Sequence, residues 1–145
     1  MKKMVFFLLV SLFAINCAEA KDVFTKDVEK LPTAAKEFVE KHFSKEQISY
    51  IKIDEELVYT TYEVVFVSGT EIEFTRDGEW KEIDTKLNAI PDSIVPANIL
   101  QYVKNNFKDA SIKQIEKRKR TYEVELSNHL DLKFDMQGNF IRIDD

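Results

Sequence analysis

Carboxylates recur at two-residue spacing along this chain, at Glu71 and Glu73 and again at Glu123 and Glu125, with Glu63 inside Tyr62-Glu63-Val64. In an extended segment such spacing puts the acids on one face and their apolar neighbours on the other. Tyr62, Val64 and Phe66, then Ile72 and Phe74, then Tyr122, Val124 and Leu126 form the apolar set. A face of ionised carboxylates attracts cations and basic segments. To catalyse, it would need a nucleophile beside a base, or ligands at metal spacing. The chain has two histidines: His42 falls on or beside an apolar helical stripe, and His129 falls in a turn. No two histidines lie one helical turn apart. The glycines Gly69, Gly78 and Gly138 are isolated, which excludes a glycine-rich phosphate loop. Asp77-Gly78-Glu79 and Asp144-Asp145 offer carboxylates to Ca²⁺ without resembling a dedicated calcium loop. The reading is therefore a non-enzyme that needs no cofactor.

The candidate binding residues extend beyond the acids. Trp80 and Glu82 are out of phase with Ile83 and so are expected to point outward beside Glu63, Glu71 and Glu73. Copy for copy, Glu123, Glu125, Asp131, Lys133 and Arg142 face the same way. Such a surface serves either as a solvated sheet face laced by charge pairs or as an acidic, aromatic-bearing platform for a basic partner. Leu57-Val58-Tyr59 places apolar residues at a hairpin tip, either for contact with a partner or as packed strand residues of a longer hairpin. The Lys117-Arg118-Lys119-Arg120 run reads as a solvated turn that blunts an edge, or as a site for an anionic surface.

These residues are positioned by a pattern that occurs twice. Leu31-Pro32, Phe38-Val39, Phe43, Ile48 and Ile51 recur as Val95-Pro96, Tyr102-Val103, Phe107, Ile112 and Ile115, at an offset of 64. Tyr62-Glu63-Val64, Phe74, Gly78, Trp80 and Ile83-Asp84 recur as Tyr122-Glu123-Val124, Phe134, Gly138, Phe140 and Ile143-Asp144, at an offset of 60. A duplication of this kind fixes architecture before any residue is assigned a role. Each copy opens with a proline suited to the first helical position. The stripes Ala35, Phe38, Val39, His42, Phe43 and Ile99, Leu100, Val103, Phe107 follow at helical spacing. Period-two segments follow each helix, joined by Ser68-Gly69-Thr70 and Ser127-Asn128-His129, then by Asp77-Gly78 and Gln137-Gly138, where glycine supplies positive φ. The fold class is α+β: two tandem αββββ repeats, with antiparallel sheets side by side and the helices packed on one face.

The ends set the context. Lys2-Lys3, the apolar run Met4 to Ile15 and Ala18-Glu19-Ala20 read as an export signal over residues 1–20, cleaved near Ala20. Lipidation at Cys17 is the rival, disfavoured by Asn16 before it. The mature chain then has no cysteine, no transmembrane segment and a periplasmic or secreted location. The chain carries 21 basic and 26 acidic residues; losing Lys2, Lys3 and Glu19 with the leader takes the net charge from −5 to −6. That balance argues against nucleic acid and suits a protein or peptide partner that carries positive charge. Residues 21–30 read as a lead-in held by Val23, Phe24 and Val28. Residues 31–84 are repeat one, 85–94 a linker and 95–145 repeat two, together expected as a monomer.

The sequence resembles the PepSY-like, β-lactamase-inhibitor-like domain proteins. The resemblance runs from Leu31 to Asp145 and rests on Leu31-Pro32…Phe38…Phe43, on Tyr62-Glu63-Val64…Gly69…Ile72-Glu73-Phe74…Gly78-Glu79-Trp80…Ile83-Asp84, on Val95-Pro96…Ile99…Tyr102-Val103, and on Tyr122-Glu123-Val124-Glu125-Leu126…Phe134-Asp135…Gly138…Ile143-Asp144. It implies a fold similar to that of the β-lactamase inhibitory protein, with the strands forming one concave surface. It further implies a non-enzymatic exported protein that inhibits, or is accessory to, another envelope protein. The alternative is an envelope structural or small-ligand and cation-binding module. The inhibitor inserts an acidic and an aromatic loop residue into its target. The matching loops here, Ser68-Gly69-Thr70 and Ser127-Asn128-His129, carry neither beyond the His129 ring.

Overall fold

The computed structural model describes residues 21–56 and 58–144. The expected export signal, Cys17, Leu57 and Asp145 lie outside the described residues. Alternating segments form β1 (Lys21–Thr25), β2 (Ile48–Glu55), β3 (Thr60–Phe66), β4 (Glu71–Phe74), β5 (Trp80–Asp84), β6 (Ile112–Lys117), β7 (Thr121–Leu126), β8 (Asp131–Asp135) and β9 (Phe140–Asp144). Helix α1 (Thr33–Phe43) precedes β2, and α2 (Ala97–Asn106) precedes β6. All nine strands join one sheet in chain order, each antiparallel to its neighbours. The expectation of two sheets side by side is thus corrected to one continuous sheet. The join is β5 against β6, through Glu82↔Glu116, Ile83↔Ile115 and Asp84↔Gln114.

Residues 21–30 also differ from a loose lead-in. Lys21–Thr25 pairs with β2 along its whole length, and Val28–Lys30 forms one 3₁₀ turn. Val23 packs on the core, whereas Phe24 and Val28 are exposed. Each proline stands one residue before its helix, where its carbonyl accepts the first helical bond. Lys36 N–H donates to Pro32 and Leu100 N–H to Pro96, both at 3.0 Å.

The helices cover one sheet face. Ala35, Phe43, Ile99 and Val103 are buried against Ile51, Val64, Phe66, Ile72, Phe74, Ile83, Ile115, Val124, Leu126, Leu132 and Phe134. Aromatic rings tie helix to sheet: Phe38 meets Phe74 edge-on at 5.7 Å, Phe43 stacks on Phe66 at 5.5 Å, and Tyr102 meets Phe134 edge-on at 5.5 Å. Such contacts add to the free energy of area burial. The linker is built into the structure. Ile90, Ile94 and Val95 join the core, Ile90 N–H donates to the Ile112 carbonyl, and the buried Thr85 hydroxyl lies against the carbonyls of Asn88 and Lys113.

Turns and irregularities recur at the two offsets. β2 and β6 carry bulges at Ile48/Tyr50 and Ile112/Gln114, and β4 and β8 pair through bulges at Glu73/Phe74 and Lys133/Phe134. Gly78 and Gly138 have φ of +85° and +82°. Both turns press on a helix start: a Cβ on Gly78 would lie 2.9 Å from the Ala35 nitrogen, and one on Gly138 2.8 Å from Asn98 Cβ.

Candidate functional site, an open acidic sheet face

The sheet face away from the helices collects the carboxylates. Following the register across the strands, one row reads Lys52, Glu63, Glu73, Glu82, Glu116, Glu123, Lys133 and Arg142. Five glutamates thus stand directly opposite one another on five successive strands. A second row reads Val65, Glu71, Asp84, Gln114, Glu125, Asp131 and Asp144. Opposed side chains in antiparallel pairs have Cβ atoms roughly 5 Å apart, and like charges so placed repel.

The two halves of the face handle that repulsion differently. In the β7–β9 half the acids meet cations. Arg118 bonds Glu116 and Glu123 at 2.8 Å each, Lys133 bonds Glu123 at 3.0 Å, and Arg142 pairs with Asp144. Burial pushes the Glu123 carboxyl up, but its hydrogen bonds from Lys133 and Arg118 outweigh this and hold it below the ordinary range. In the β3–β5 half the balance goes the other way. Burial raises Glu63, repulsion from Glu71 and Glu73 adds to it, and Lys52 and Lys86 only partly oppose it. Burial likewise raises Glu82, against the Gln114 hydrogen bond and with help from Glu116, Glu73 and Asp84. Lys81 bonds Glu73 at 2.8 Å, and Lys86 reaches Glu71 at 3.3 Å. The face therefore keeps two under-compensated acids at its centre, Glu63 and Glu82, beside the ion-paired Glu73 and Glu116.

Two shallow recesses lie on this face. The larger, about 670 Å³, is bordered by Lys52, Tyr59, Glu63, Glu73, Arg76 and Lys81. The smaller, about 280 Å³, is bordered by Glu116, Arg118, Glu123, Glu125, Asp131 and Asp144. The first recess brings Tyr59 from the hairpin tip to the glutamate row. Val58 beside it is 89% exposed. Phe24 and Tyr50, with ring centroids 5.8 Å apart, and Val67 give the β1–β3 end of the face an apolar margin.

Of the residues singled out from sequence, Glu63, Glu71, Glu73, Glu82, Glu123 and Glu125 all lie on the open face. Trp80 does not. The bulge in the β4–β5 pairing inserts Lys81, so Trp80 opposes Phe74 instead of following the phase of Glu82. It packs on the core, 6.4 Å from the Tyr122 ring. Strict alternation misplaces it because a bulge resets the phase of the strand. Glu116 and Asp84, both central to the face, were missed. Period two from Ile115 and Ile83 was the available signal. The alignment of Glu82 with Glu116, however, depends on a pairing between distant segments that no local pattern states. His42 contacts the Phe38 ring at 4.7 Å and lies 3.3 Å from the Ser93 hydroxyl, a packing role. Among the described residues no three acidic, histidine or cysteine side chains are grouped to hold a metal ion, and no helix is long and apolar enough to cross a membrane.

Solved structures similar to this one are described as putative periplasmic proteins. A protein from Bacteroides thetaiotaomicron, described as a putative calcium-regulated periplasmic protein, is 40% identical, with a TM-score of 0.82 over 86% of this chain and 97% of that one. A protein from Bacteroides vulgatus, described as a putative periplasmic protein of unknown function, is 41% identical, with a TM-score of 0.81 over 86% of this chain and 100% of its own. A second protein from that organism, also described as a putative periplasmic protein, is 38% identical, with a TM-score of 0.81 and coverage of 86% and 97%. No curated protein matches the chain. The family described as "Putative beta-lactamase-inhibitor-like, PepSY-like" matches residues 60–142, the span from β3 to β9 that carries the acidic face. With that match and near-complete structural relatives at about two-fifths identity, the chain belongs to the PepSY-like, β-lactamase-inhibitor-like family.

Proposed function

We propose that this protein is a non-enzymatic periplasmic binding protein whose open sheet face receives a positively charged segment of another envelope protein, as an inhibitor or accessory factor. The observation that carries the reading is the row Glu63, Glu73, Glu82, Glu116 and Glu123. Within that row Glu63 and Glu82 lack a compensating cation, and a cationic partner relieves in the complex the repulsion they meet in the free protein. The recess beside Tyr59 gives such a segment an aromatic contact next to the acids. We take the two αββββ units as copies of one duplicated element, in view of the paired offsets in sequence, bulges and turns. The periplasmic assignment follows the relatives and the N-terminal export pattern.

Calorimetry with a lysine-rich synthetic peptide tests the reading. Wild type is expected to bind saturably, more weakly as salt rises, and the double variant Glu73→Lys with Glu82→Lys to lose binding. Absence of binding, or binding indifferent to the charge reversal, would count against it. Calcium is the second reading, favoured by the relative described as calcium-regulated. Its ions would act on the carboxylate rows collectively, and a Ca²⁺ titration in the same calorimeter, without peptide, separates the two.

A further inference from the structure

We propose, in place of the monomer that the sequence suggests, that two copies of this chain pair through β9 to form a two-fold symmetric dimer with a sheet continuous across both. The fold supplies its own precedent. Ile83 in β5 and Ile143 in β9 occupy corresponding places, opposite Ile72 and Leu132 respectively. Ile83 is fully buried because β6 joins at that edge and sets Ile115 against it. Ile143 is 44% exposed, and among the described residues no strand pairs with the outer edge of β9.

The backbone there is ready to pair. Leu126 N–H donates to the Leu130 carbonyl at 2.9 Å, so by two-residue alternation Val124 and Leu132 exchange the next bonds between β7 and β8. Asp131 and Lys133 therefore bond β9, and the N–H and C=O of Ile143 point outward. Thr85 N–H donates to the Lys113 carbonyl at 2.9 Å, and the same alternation makes Ile83↔Ile115 a bonded pair at the internal join.

The occupant is identified by charge. Arg142-Ile143-Asp144 read antiparallel against itself sets Ile143 against Ile143 and each Arg142 against Asp144 of the second copy, two ion pairs on the open face. The internal edge has Glu82-Ile83-Asp84 instead, which would repel itself and is covered by β6. At the other end of the sheet, β1 centred on Val23 would set Asp22 against Phe24 and form no ion pair. An interface using one surface twice closes at two copies. With three residue pairs it belongs to the small, concentration-dependent class.

Sedimentation equilibrium of the purified protein over a wide concentration range tests this. Wild type is expected to show reversible dimerisation. Arg142→Asp and Asp144→Arg alone are each expected to weaken it at least about tenfold by like-charge repulsion. An equimolar mixture of the two variants is expected to form a heterodimer, since both ion pairs are then restored, one in the native sense and one reversed. Far-UV circular dichroism checks that both remain folded. A wild type that stays monomeric throughout, a mixture that fails to associate, or an open series of higher oligomers would overturn the proposal.

Discussion

The glutamate row makes a definite statement about protonation. Glu63 and Glu82 are held above the ordinary carboxylate range, mainly by burial and then by neighbouring acids, whereas Glu123 is held below it by Lys133 and Arg118. Where folding raises an acid's pKa, the folded state binds more protons than the unfolded state in the window between the two values. Stability then falls as pH rises through that window, and the cost disappears below it. For Glu123 the sign reverses: its contribution is present above the unfolded value and lost as pH falls through the folded one. Replacing Glu82 with Gln, which can still accept the Gln114 hydrogen bond, should therefore stabilise at pH 7 by about 0.5 kcal/mol, the scale of a cross-strand charge pair. The gain should vanish at pH 3. Glu123→Gln should destabilise at pH 7 by a similar amount and be near neutral at pH 3. Thermal melts at the two pH values check both, and a Glu82→Gln penalty at pH 7 would contradict the electrostatic picture.

Among the elements, the turns between strands show how much local sequence could say. Asp77-Gly78 and Gln137-Gly138 announce tight hairpins through glycine, and the positive φ values agree. Sequence did not state that the turn after β4 lies against the start of α1, because that contact joins residues over 40 positions apart. The same boundary separates what was legible elsewhere. Helix stripes, strand phases and the acids on β3, β4 and β7 are periodic and local. β1, the Trp80 orientation and the β5–β6 join depend on pairing and bulges set by distant partners. The two glycine turns of the first half separate these effects. Gly69→Ala meets only backbone strain, since its nearest neighbour would be Lys86 Cγ at 3.8 Å, and His129 at φ +65° fills the corresponding place in the second half. Gly78→Ala meets the same strain plus contacts of 2.9 Å with Ala35 N and Pro32 Cβ. Urea denaturation should show about 1 kcal/mol lost for Gly69→Ala and about 2–4 kcal/mol for Gly78→Ala. Equal losses would mean that the hairpin–helix contact is soft.

For the whole molecule the question is whether two similar halves behave as one unit. The β2–β3 pairing runs through seven residue pairs, but β5–β6 through only three, which on counting alone suggests halves that separate first. Burial argues otherwise. Ile83 and Ile115 are both fully buried at the join, Trp80 from one half packs near Tyr122 of the other, and Thr85 and Ile90 bond back to β6. Exposing the two isoleucines would cost about 2 kcal/mol each, and the buried hydrogen bonds lost with them add about 1 kcal/mol apiece. That sum, on the order of 6 kcal/mol, is comparable to the entire stability of an ordinary domain. A state with one half unfolded therefore carries most of the cost of unfolding both. The single tryptophan of the chain sits at this join and reports on it directly. Urea titration should give one transition, with Trp80 fluorescence and far-UV circular dichroism superimposable. A fluorescence change preceding the loss of ellipticity would show that the join opens first, and that the one sheet is held together more weakly than its buried isoleucines imply.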